Sequence, residues 1–125
     1  MNKIPKISVI FPVYNAANTV KESLNSILTQ TFTDFEVIAI DDGSTDNSSS
    51  IIESIDDDRI KLYRNDKNRG LVYTLNRGIN LSKAIYVARM DSDDICMQDR
   101  FEKQVKYLDS NPNVVICGTF AQIFM

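Results

Sequence analysis

Three carboxylates stand within four residues of this sequence, at Asp91, Asp93 and Asp94. Like charges at this spacing repel one another and raise each other's pKa unless a cation compensates them. Mg²⁺ typically takes one or two carboxylates together with substrate phosphates, and Mn²⁺ suits the same oxygen ligands. The cluster directly follows an apolar run that favours a buried strand. The sequence therefore predicts a site for Mg²⁺ or Mn²⁺ at the end of that strand.

Two further polar clusters follow apolar runs in the same way. Residues 12–15, Pro-Val-Tyr-Asn, end the first run, and Asp41 and Asp42, before Gly-Ser, end the second. The ring of Tyr14 could stack on a base, or it could be an ordinary half-buried tyrosine. An acidic residue at the end of the second strand binds the ribose in Rossmann domains. Asp41 and Asp42 could equally form a turn and cap a helix, and we expect one of the two to do only that.

Glycine-rich phosphate loops are missing from the places where they would be needed. The turn after the first apolar run, residues 14–18, reads Tyr-Asn-Ala-Ala-Asn, so it carries neither the dinucleotide fingerprint nor a P-loop. We therefore expect a metal, not a glycine-rich helix start, to neutralise a nucleotide's pyrophosphate. A phosphatase of the D-x-D type is an alternative, with Asp91 as its nucleophile. However, that motif normally follows the first strand of its domain.

The elements that position these clusters alternate between strand and helix along the chain. Strands are predicted at residues 6–13, 35–40, 60–63, 84–90 and 114–117, and the first two should be buried. Helices are predicted between them, from apolar stripes at Val20, Leu24, Ile27 and Leu28, over residues 46–55, at Leu71, Val72, Leu75 and Ile79, and at Phe101, Val105 and Leu108. The first helix should open with a capping box, Thr19 to Glu22. This βαβαβαβαβ order predicts an α/β fold with a mostly parallel sheet. Ligands bind beyond the carboxyl ends of such strands, where the three clusters should converge.

Composition narrows the class of protein. The 125 residues fit one domain, 43% of them are apolar, and 14 basic against 17 acidic residues give a net charge of −3. That charge provides no field to attract nucleic acid, so none is expected as a partner. There is no histidine, which excludes Ser-His-Asp and Cys-His catalysis within the chain. Without a long apolar run or signal-like start, and with Cys96 and Cys117 expected as free thiols, we expect a cytoplasmic location without a transmembrane segment.

The motifs together resemble family 2 glycosyltransferases of the inverting GT-A type, and in particular enzymes that build bacterial surface polysaccharides. The resemblance spans nearly the whole chain, and the matching segments are residues 7–15, 24–32, 41–46, 68–71, 76–78, 88–95, 101–105 and 117–119. Each motif is weak alone, but several in the right order are specific. The resemblance implies a Rossmann-like, nucleotide-sugar-binding part of a GT-A fold, with a nucleotide-diphosphate sugar as donor, a UDP-sugar being expected first, and with a divalent cation.

Carried over residue by residue, the resemblance implies a nucleotide site. Pro12 and Tyr14 would contact the base. Asp42, with or without Asp41, would hydrogen-bond the uracil or ribose. Arg69, beside the Asn-x-Gly turn, would reach the diphosphate.

The acidic cluster has implied roles as well. Asp91 would lie near the ribose or donor sugar, Asp93 would ligate the metal, and Asp94 would orient the loop. Departures from the family pattern include Gln98, where proline is common, and Thr74, where alanine is common. They concern packing and turns, and they leave the acidic ligands in place.

The family's catalytic base, an acidic residue on a later segment, is not expected within these residues. We therefore interpret residues 1–125 as one nucleotide-sugar-binding domain that lacks the acceptor half. The acceptor would be a glycan or a lipid-linked hydroxyl, with peripheral membrane association in a longer protein, and apolar surface would be uncovered around Phe120, Ile123 and Phe124. A non-catalytic nucleotide- or metal-binding module is the alternative from another functional class.

Overall fold

The computed structural model describes residues 3–119 and has an alternating strand and helix order. Its strands are β1 (Ile7–Val13), β2 (Phe35–Asp41), β3 (Ile60–Arg64) and β4 (Tyr86–Arg89). Its helices are α1 (Val20–Leu28), α2 (Ser48–Glu53), α3 (Leu71–Leu81) and α4 (Arg100–Ser110). The four strands form one sheet in the order β3-β2-β1-β4, and every pair is parallel.

The two central strands are buried along their whole length. All seven residues of β1 and all seven of β2 are buried, and the strands pair in register from Ile7 opposite Phe35 to Val13 opposite Asp41. A strand covered on both faces needs apolar side chains at successive positions, not at alternate ones. This requirement explains why both strands are mostly apolar, apart from Ser8 and Glu36, which hydrogen-bond each other, and Asp41 at the end of β2.

Helices cover both faces of the sheet. One face packs Val9 and Phe11 of β1 against Leu24 of α1, and Phe101 of α4 meets Phe35 edge-on at 5.6 Å between ring centroids. The other face is covered by α3, whose Gly78 lies directly over Ile10. Side chains alternate between the faces of a strand, so Val9 and Ile10 necessarily serve different layers.

The order of the strands creates a crevice at one edge of the sheet. From β1 the chain moves outward through β2 to β3, and it then returns across the sheet to place β4 on the other side of β1. The connections on the two sides of β1 therefore diverge at its carboxyl end. Ligand sites of open α/β sheets lie at such a switch point.

Two expectations from the sequence are wrong. Residues 114–119 form no strand, and Val115 and Ile116 are 90% and 85% exposed. Four apolar residues give only a local preference, and a strand also needs a partner, which this segment does not find among the described strands.

The capping box predicted from Thr19 to Glu22 is the second wrong expectation. Thr19 is the N-cap of α1 but makes no side-chain capping bond, because its hydroxyl donates to the carbonyl of Ser92 instead.

Two further expectations concern the last residues of the chain and the presence of membrane-spanning helices. The uncovered apolar surface predicted around Phe120, Ile123 and Phe124 lies outside the described residues. Among residues 3–119, no helix combines the length and apolar character that a membrane span requires.

Candidate functional site

A cavity of about 400 Å³ opens beyond the carboxyl ends of β1, β2 and β4. It brings together five of the residues predicted from the sequence. These are Pro12, Tyr14, Asp42, Asp91 and Asp93. The wall also includes the turn before α3 and the start of that helix, with Asn68, Gly70, Leu71 and Thr74, and it includes Thr19, just before α1. The three polar clusters, which are far apart in sequence, thus converge as the parallel sheet predicts.

The acidic cluster is compact enough to hold a cation. One carboxylate oxygen from each of Asp91, Asp93 and Asp94 lies within 4.8 Å of the others. Burial, followed by the charges of Asp93 and Asp91, raises the pKa of Asp94 above its ordinary value. Arg89 compensates part of the negative charge through Asp91, with Nε 3.1 Å from Oδ1. A set of hard oxygen donors under mutual repulsion fits Mg²⁺ or Mn²⁺.

Asp42 is a buried carboxylate with three donors around it. Oδ1 accepts from Asn65 Nδ2 at 2.8 Å and from the backbone amide of Arg69 at 2.7 Å, and Oδ2 accepts from the amide of Gly70 at 3.0 Å. The residue is 5% exposed and lines the cavity. Asp42 therefore fixes the turn before α3 while its carboxylate borders the candidate site.

Asp41 serves the loop after β2 and does not line the cavity. Its Oδ1 accepts from the amide of Ser44 at 2.9 Å, and its Oδ2 accepts from the hydroxyl of Ser49 on α2. These are the turn and helix contacts that the sequence allowed for one of the two aspartates. The predicted role of Asp41 in nucleotide binding stays a prediction.

Gly43 allows two loops to approach each other closely. Its φ is +74°, and a Cβ at this position would lie 2.5 Å from the backbone nitrogen of Asn68 and 2.7 Å from the carbonyl carbon of Lys67. A left-handed backbone that also touches another backbone requires glycine. The loop after β2 therefore lies in direct contact with the turn before α3, which Asp42 holds through its hydrogen bonds.

Asn15 joins the loops after β1 and β2, a role that the sequence analysis missed. Its Oδ1 accepts from the backbone amide of Thr45 at 2.8 Å, and its backbone amide donates to Ser44 Oγ at 2.9 Å. Its φ of +47° is a left-handed conformation that asparagine tolerates better than most residues. The turn leaves neighbouring Tyr14 51% exposed at the cavity. The only sequence signal was an asparagine in a turn that lacks glycine.

Arg69 reaches the site through its backbone, not its side chain. Nε and Nη2 of the guanidinium bind the two carboxylate oxygens of Asp66 at 2.9 and 2.8 Å, and the group lies 5.5 Å from the ring centroid of Tyr73. The side chain does not line the cavity. A contact with a diphosphate would require the ion pair with Asp66 to open, and the predicted role of Arg69 stays a prediction.

A polar network behind the cavity was also missed. Asn65 Nδ2 donates to Asp42 and, at 3.0 Å, to Thr74 Oγ1, which itself donates to the carbonyl of Gly70 at 2.9 Å. Asn65 Oδ1 accepts from Arg77 Nη1 at 2.9 Å. In the sequence, Thr74 was noted only because it stands where the family commonly has alanine. That difference does not predict a buried hydrogen-bond network.

Comparison with known proteins places these features in a wider group. Residues 8–125 match the family model described as glycosyl transferase family 2. A Haemophilus influenzae protein described as an uncharacterized glycosyltransferase is 40% identical over 127 residues, which span 100% of this chain and 39% of that protein.

Two solved structures resemble the fold. S. aureus TarS 1-349 in complex with UDP-GlcNAc has a TM-score of 0.81 and 30% identity, over 86% of this chain and 32% of that one. The mannosyltransferase PcManGT from Pyrobaculum calidifontis, in complex with GDP-Man and Mn²⁺, has a TM-score of 0.80 and 28% identity, over 90% of this chain and 34% of that one. The parallel sheet with flanking helices matches their Rossmann-like GT-A fold. This chain spans less than half the length of each protein.

Proposed function

The chain belongs to glycosyl transferase family 2, and from this premise we propose that its cavity binds a nucleoside-diphosphate sugar as glycosyl donor. The observation that carries the proposal is the convergence of Tyr14, Asp42 and the acidic cluster on one cavity. Two relatives of similar fold were solved with UDP-GlcNAc and with GDP-Man and Mn²⁺. We take UDP-sugars as the first donors to test.

The base and ribose would occupy the side of the cavity formed by β1 and β2. Tyr14 offers an exposed ring for stacking, and Pro12 adds an apolar surface beside it. The carboxylate of Asp42 can accept a hydrogen bond from an N–H of a base or from a ribose hydroxyl. Because its three protein donors already fix its position, it would present this acceptor without rearrangement.

The diphosphate would lie towards the acidic cluster. Asp93 is the exposed carboxylate that lines the cavity, and we propose it as a ligand of Mn²⁺ or Mg²⁺, with Asp91 beside it near the ribose or sugar. A metal bound there would stabilise the negative charge that the leaving nucleoside diphosphate gains in the transition state. The protein's contribution is to hold the carboxylates together against their repulsion.

The transfer step itself would need an acceptor and a base. In an inverting displacement the base takes the proton of the acceptor hydroxyl, and that oxygen attacks the anomeric carbon as the nucleoside diphosphate leaves. We propose a glycan or lipid-linked hydroxyl as acceptor in surface polysaccharide synthesis. We propose further that the base is not among these 125 residues, so that this chain provides the donor site.

Calorimetry of UDP binding, with and without Mn²⁺, tests the donor site. Asp93→Ala should weaken binding in Mn²⁺ by about tenfold or more, the effect of one lost charged contact, and should leave metal-free binding unchanged. Asp58→Ala is the matched control, because it removes an exposed carboxylate from a turn outside the cavity. Equal, metal-independent binding by the parent and Asp93→Ala would contradict the proposal.

A further inference from the structure

We propose that four polar side chains along one side of α1 are positioning residues for the acidic cluster. The polar stripe, as we call it, consists of Thr19, Ser23, Ser26 and Gln30, and it holds the backbone of the acidic loop, residues 91–97. The proposal rests on the proposed function, because the loop carries the carboxylates assigned to the metal and donor. None of the four side chains needs to touch the cation for this role.

The spacing of the stripe places its members on one helical face. They follow one another at intervals of four, three and four residues, which is the period of neighbouring positions on a helix. Thr19 is the N-cap of α1, and Gln30 follows directly after its C-cap, Thr29. Ser23 and Gln30 are only 1% and 3% exposed. A polar face at a buried position costs stability unless its groups are hydrogen-bonded, so the partners of these side chains show their role.

The first two members bind the carbonyl groups at the start of the loop. Ser23 Oγ donates to the carbonyl of Asp91 at 3.0 Å, and Thr19 Oγ1 donates to the carbonyl of Ser92 at 2.9 Å. The helix thus holds the backbone at Asp91, proposed to lie near the ribose or sugar, and at the residue immediately before the proposed metal ligand Asp93. Both contacts span about seventy residues of sequence.

The other two members bind the far end of the loop. Ser26 Oγ accepts from the amide of Cys96 at 3.0 Å, and Gln30 Nε2 donates to the carbonyl of Met97 at 2.6 Å. Gln30 Oε1 also accepts from the amide of Phe101 in the first turn of α4 at 3.1 Å. One glutamine therefore fixes both the end of the loop and the helix that follows it.

The loop needs such support because its own charges oppose its conformation. Three carboxylates lie within 4.8 Å of one another, and their repulsion favours a loop that opens and separates them. Each contact between the stripe and the loop goes to the loop backbone, so the stripe does not occupy the acidic side chains. Removing a contact should therefore weaken metal-dependent binding more than metal-free binding.

Thr19 gives the sharpest test because its hydroxyl makes no capping bond that would be lost at the same time. Thr19→Val removes the donor at nearly constant volume, and Thr19→Ser keeps it. Ser23→Ala is a second variant, at a buried position. The matched control is Thr29→Ala, which removes an exposed hydroxyl from the same helix that bonds only within that helix, to the carbonyl of Asn25.

The full 125-residue chain would be titrated with Mn²⁺ in the presence of UDP, with free Mn²⁺ followed by electron paramagnetic resonance. Thr19→Val and Ser23→Ala should each weaken Mn²⁺ binding by about threefold to tenfold, the effect of one hydrogen bond, whereas Thr19→Ser and Thr29→Ala should bind as the parent does. UDP affinity without metal should be unchanged in Ser23→Ala and Thr29→Ala, whereas Thr19 lines the cavity, so its role is tested by comparing Thr19→Val with Thr19→Ser. Thermal unfolding would be recorded for each variant.

Hydrogen exchange separates the failure of this proposal from the failure of the proposed function. Amides of residues 91–97 should exchange faster in Thr19→Val and as in the parent in Thr19→Ser. If the parent binds no Mn²⁺ with UDP, the metal part of the proposed function is wrong, and faster exchange in Thr19→Val would still support the role of the stripe. Parental Mn²⁺ affinity and parental exchange in both Thr19→Val and Ser23→Ala would overturn the role of the stripe.

Discussion

Adjacent aspartates with the same chemistry do different work in this structure. Asp41 is the last residue of β2 and binds groups of its own loop, while Asp42 binds the turn before α3. The sequence predicted that one of the two would only form a turn, but it could not say which. The choice depends on donors more than twenty residues away, Asn65 and the amides of Arg69 and Gly70, and no local pattern indicates that they meet there.

Thr74→Val tests whether the network behind Asp42 shapes the cavity. The change removes the acceptor of Asn65 Nδ2 and the donor to Gly70, and it leaves a fully buried site of similar volume. We expect a loss of about 1–3 kcal/mol in the free energy of unfolding, since a buried amide hydrogen is left without its acceptor, and weaker UDP binding. Urea unfolding and calorimetry would measure the two effects.

Thr74→Ser is the control, because it keeps the hydroxyl and loses one methyl group. It should restore UDP affinity to the parent's value while remaining slightly less stable. If Thr74→Val binds UDP as tightly as the parent does, the network serves stability alone.

Glu36 should make the stability of the protein depend on pH. Burial alone would raise the pKa of Glu36, but hydrogen bonds from Lys61 at 2.8 Å and Ser8 at 2.6 Å, with the charge of Lys61, lower it below its ordinary value. A carboxyl with a lowered pKa in the folded state stabilises the protein above its unfolded pKa. That contribution is lost as the pH falls through the folded pKa.

Glu36→Gln should remove this contribution. At neutral pH the variant should be less stable by about 2 kcal/mol, the effect of losing charged hydrogen bonds. The difference from the parent should shrink as the solution is acidified below the ordinary carboxyl range. Urea unfolding at a series of pH values checks this, and a difference that stays constant at all pH values would contradict the assignment.

At the scale of elements, the periodicity of apolar residues predicted the type and position of most strands and helices. The first four strands and all four helices were predicted close to their positions. The stripe predicted on α3 does not mark its buried face, however, because Leu71, Val72 and Ile79 are 48%, 74% and 54% exposed. The buried residues of that helix are Thr74 and Gly78, whose small size allows a close approach to the sheet.

The strand predicted at residues 114–117 was wrong, since four apolar residues cannot indicate whether a partner strand is present. The capping box was wrong because the hydroxyl of Thr19 has a competing partner, Ser92, in a distant loop.

Gly78→Ala tests how closely α3 packs on the sheet. A Cβ at this position would lie 2.5 Å from Cγ2 of Ile10, a buried residue in the centre of β1. Overpacking of this kind costs about 1–3 kcal/mol, against a gain of about 1 kcal/mol in helix propensity. We therefore expect a net loss of stability in denaturant unfolding.

Asn80→Ala on the exposed side of the same helix is the control for propensity. It should be neutral or slightly stabilising, because alanine favours a helix interior more than asparagine does. A Gly78→Ala protein that gains as much stability as this control would show that the helix can move away from Ile10 without cost.

At the scale of the whole molecule, the topology turns separate motifs into one site. The strand order β3-β2-β1-β4 places the ends of β1, β2 and β4 around a single crevice. A parallel α/β sheet was predicted from the sequence, and with it the convergence of Tyr14, Asp42 and Asp91. The sequence did not predict the order of the strands or the contacts between loops, because both depend on which helix covers which face of the sheet.

The acids that follow the cluster limit what the chain can catalyse alone. Asp99 is 2.9 Å from Lys103, Glu102 accepts from Thr31 Oγ1 at 2.7 Å, and Asp109 accepts from the hydroxyl of Tyr86 at 2.5 Å. None of the three lines the cavity. The hydrogen bond from Lys103 lowers the pKa of Asp99, and hydrogen bonds from Tyr86 and Lys6 lower the pKa of Asp109. A lowered pKa makes each of the two a weaker base.

We therefore predict that this 125-residue chain binds a donor but transfers its sugar poorly. Losing general-base catalysis alone costs about 10²–10⁴-fold in rate, and an acceptor that is not held in place reacts more slowly still. The measurement is release of free UDP from UDP-sugars with Mn²⁺, in the presence and absence of simple pyranosides as acceptors. Donor binding should be measurable by calorimetry, while acceptors should not increase the rate of release. Acceptor-dependent turnover that is lost in Glu102→Gln or Asp109→Asn would instead show that the base lies within these residues.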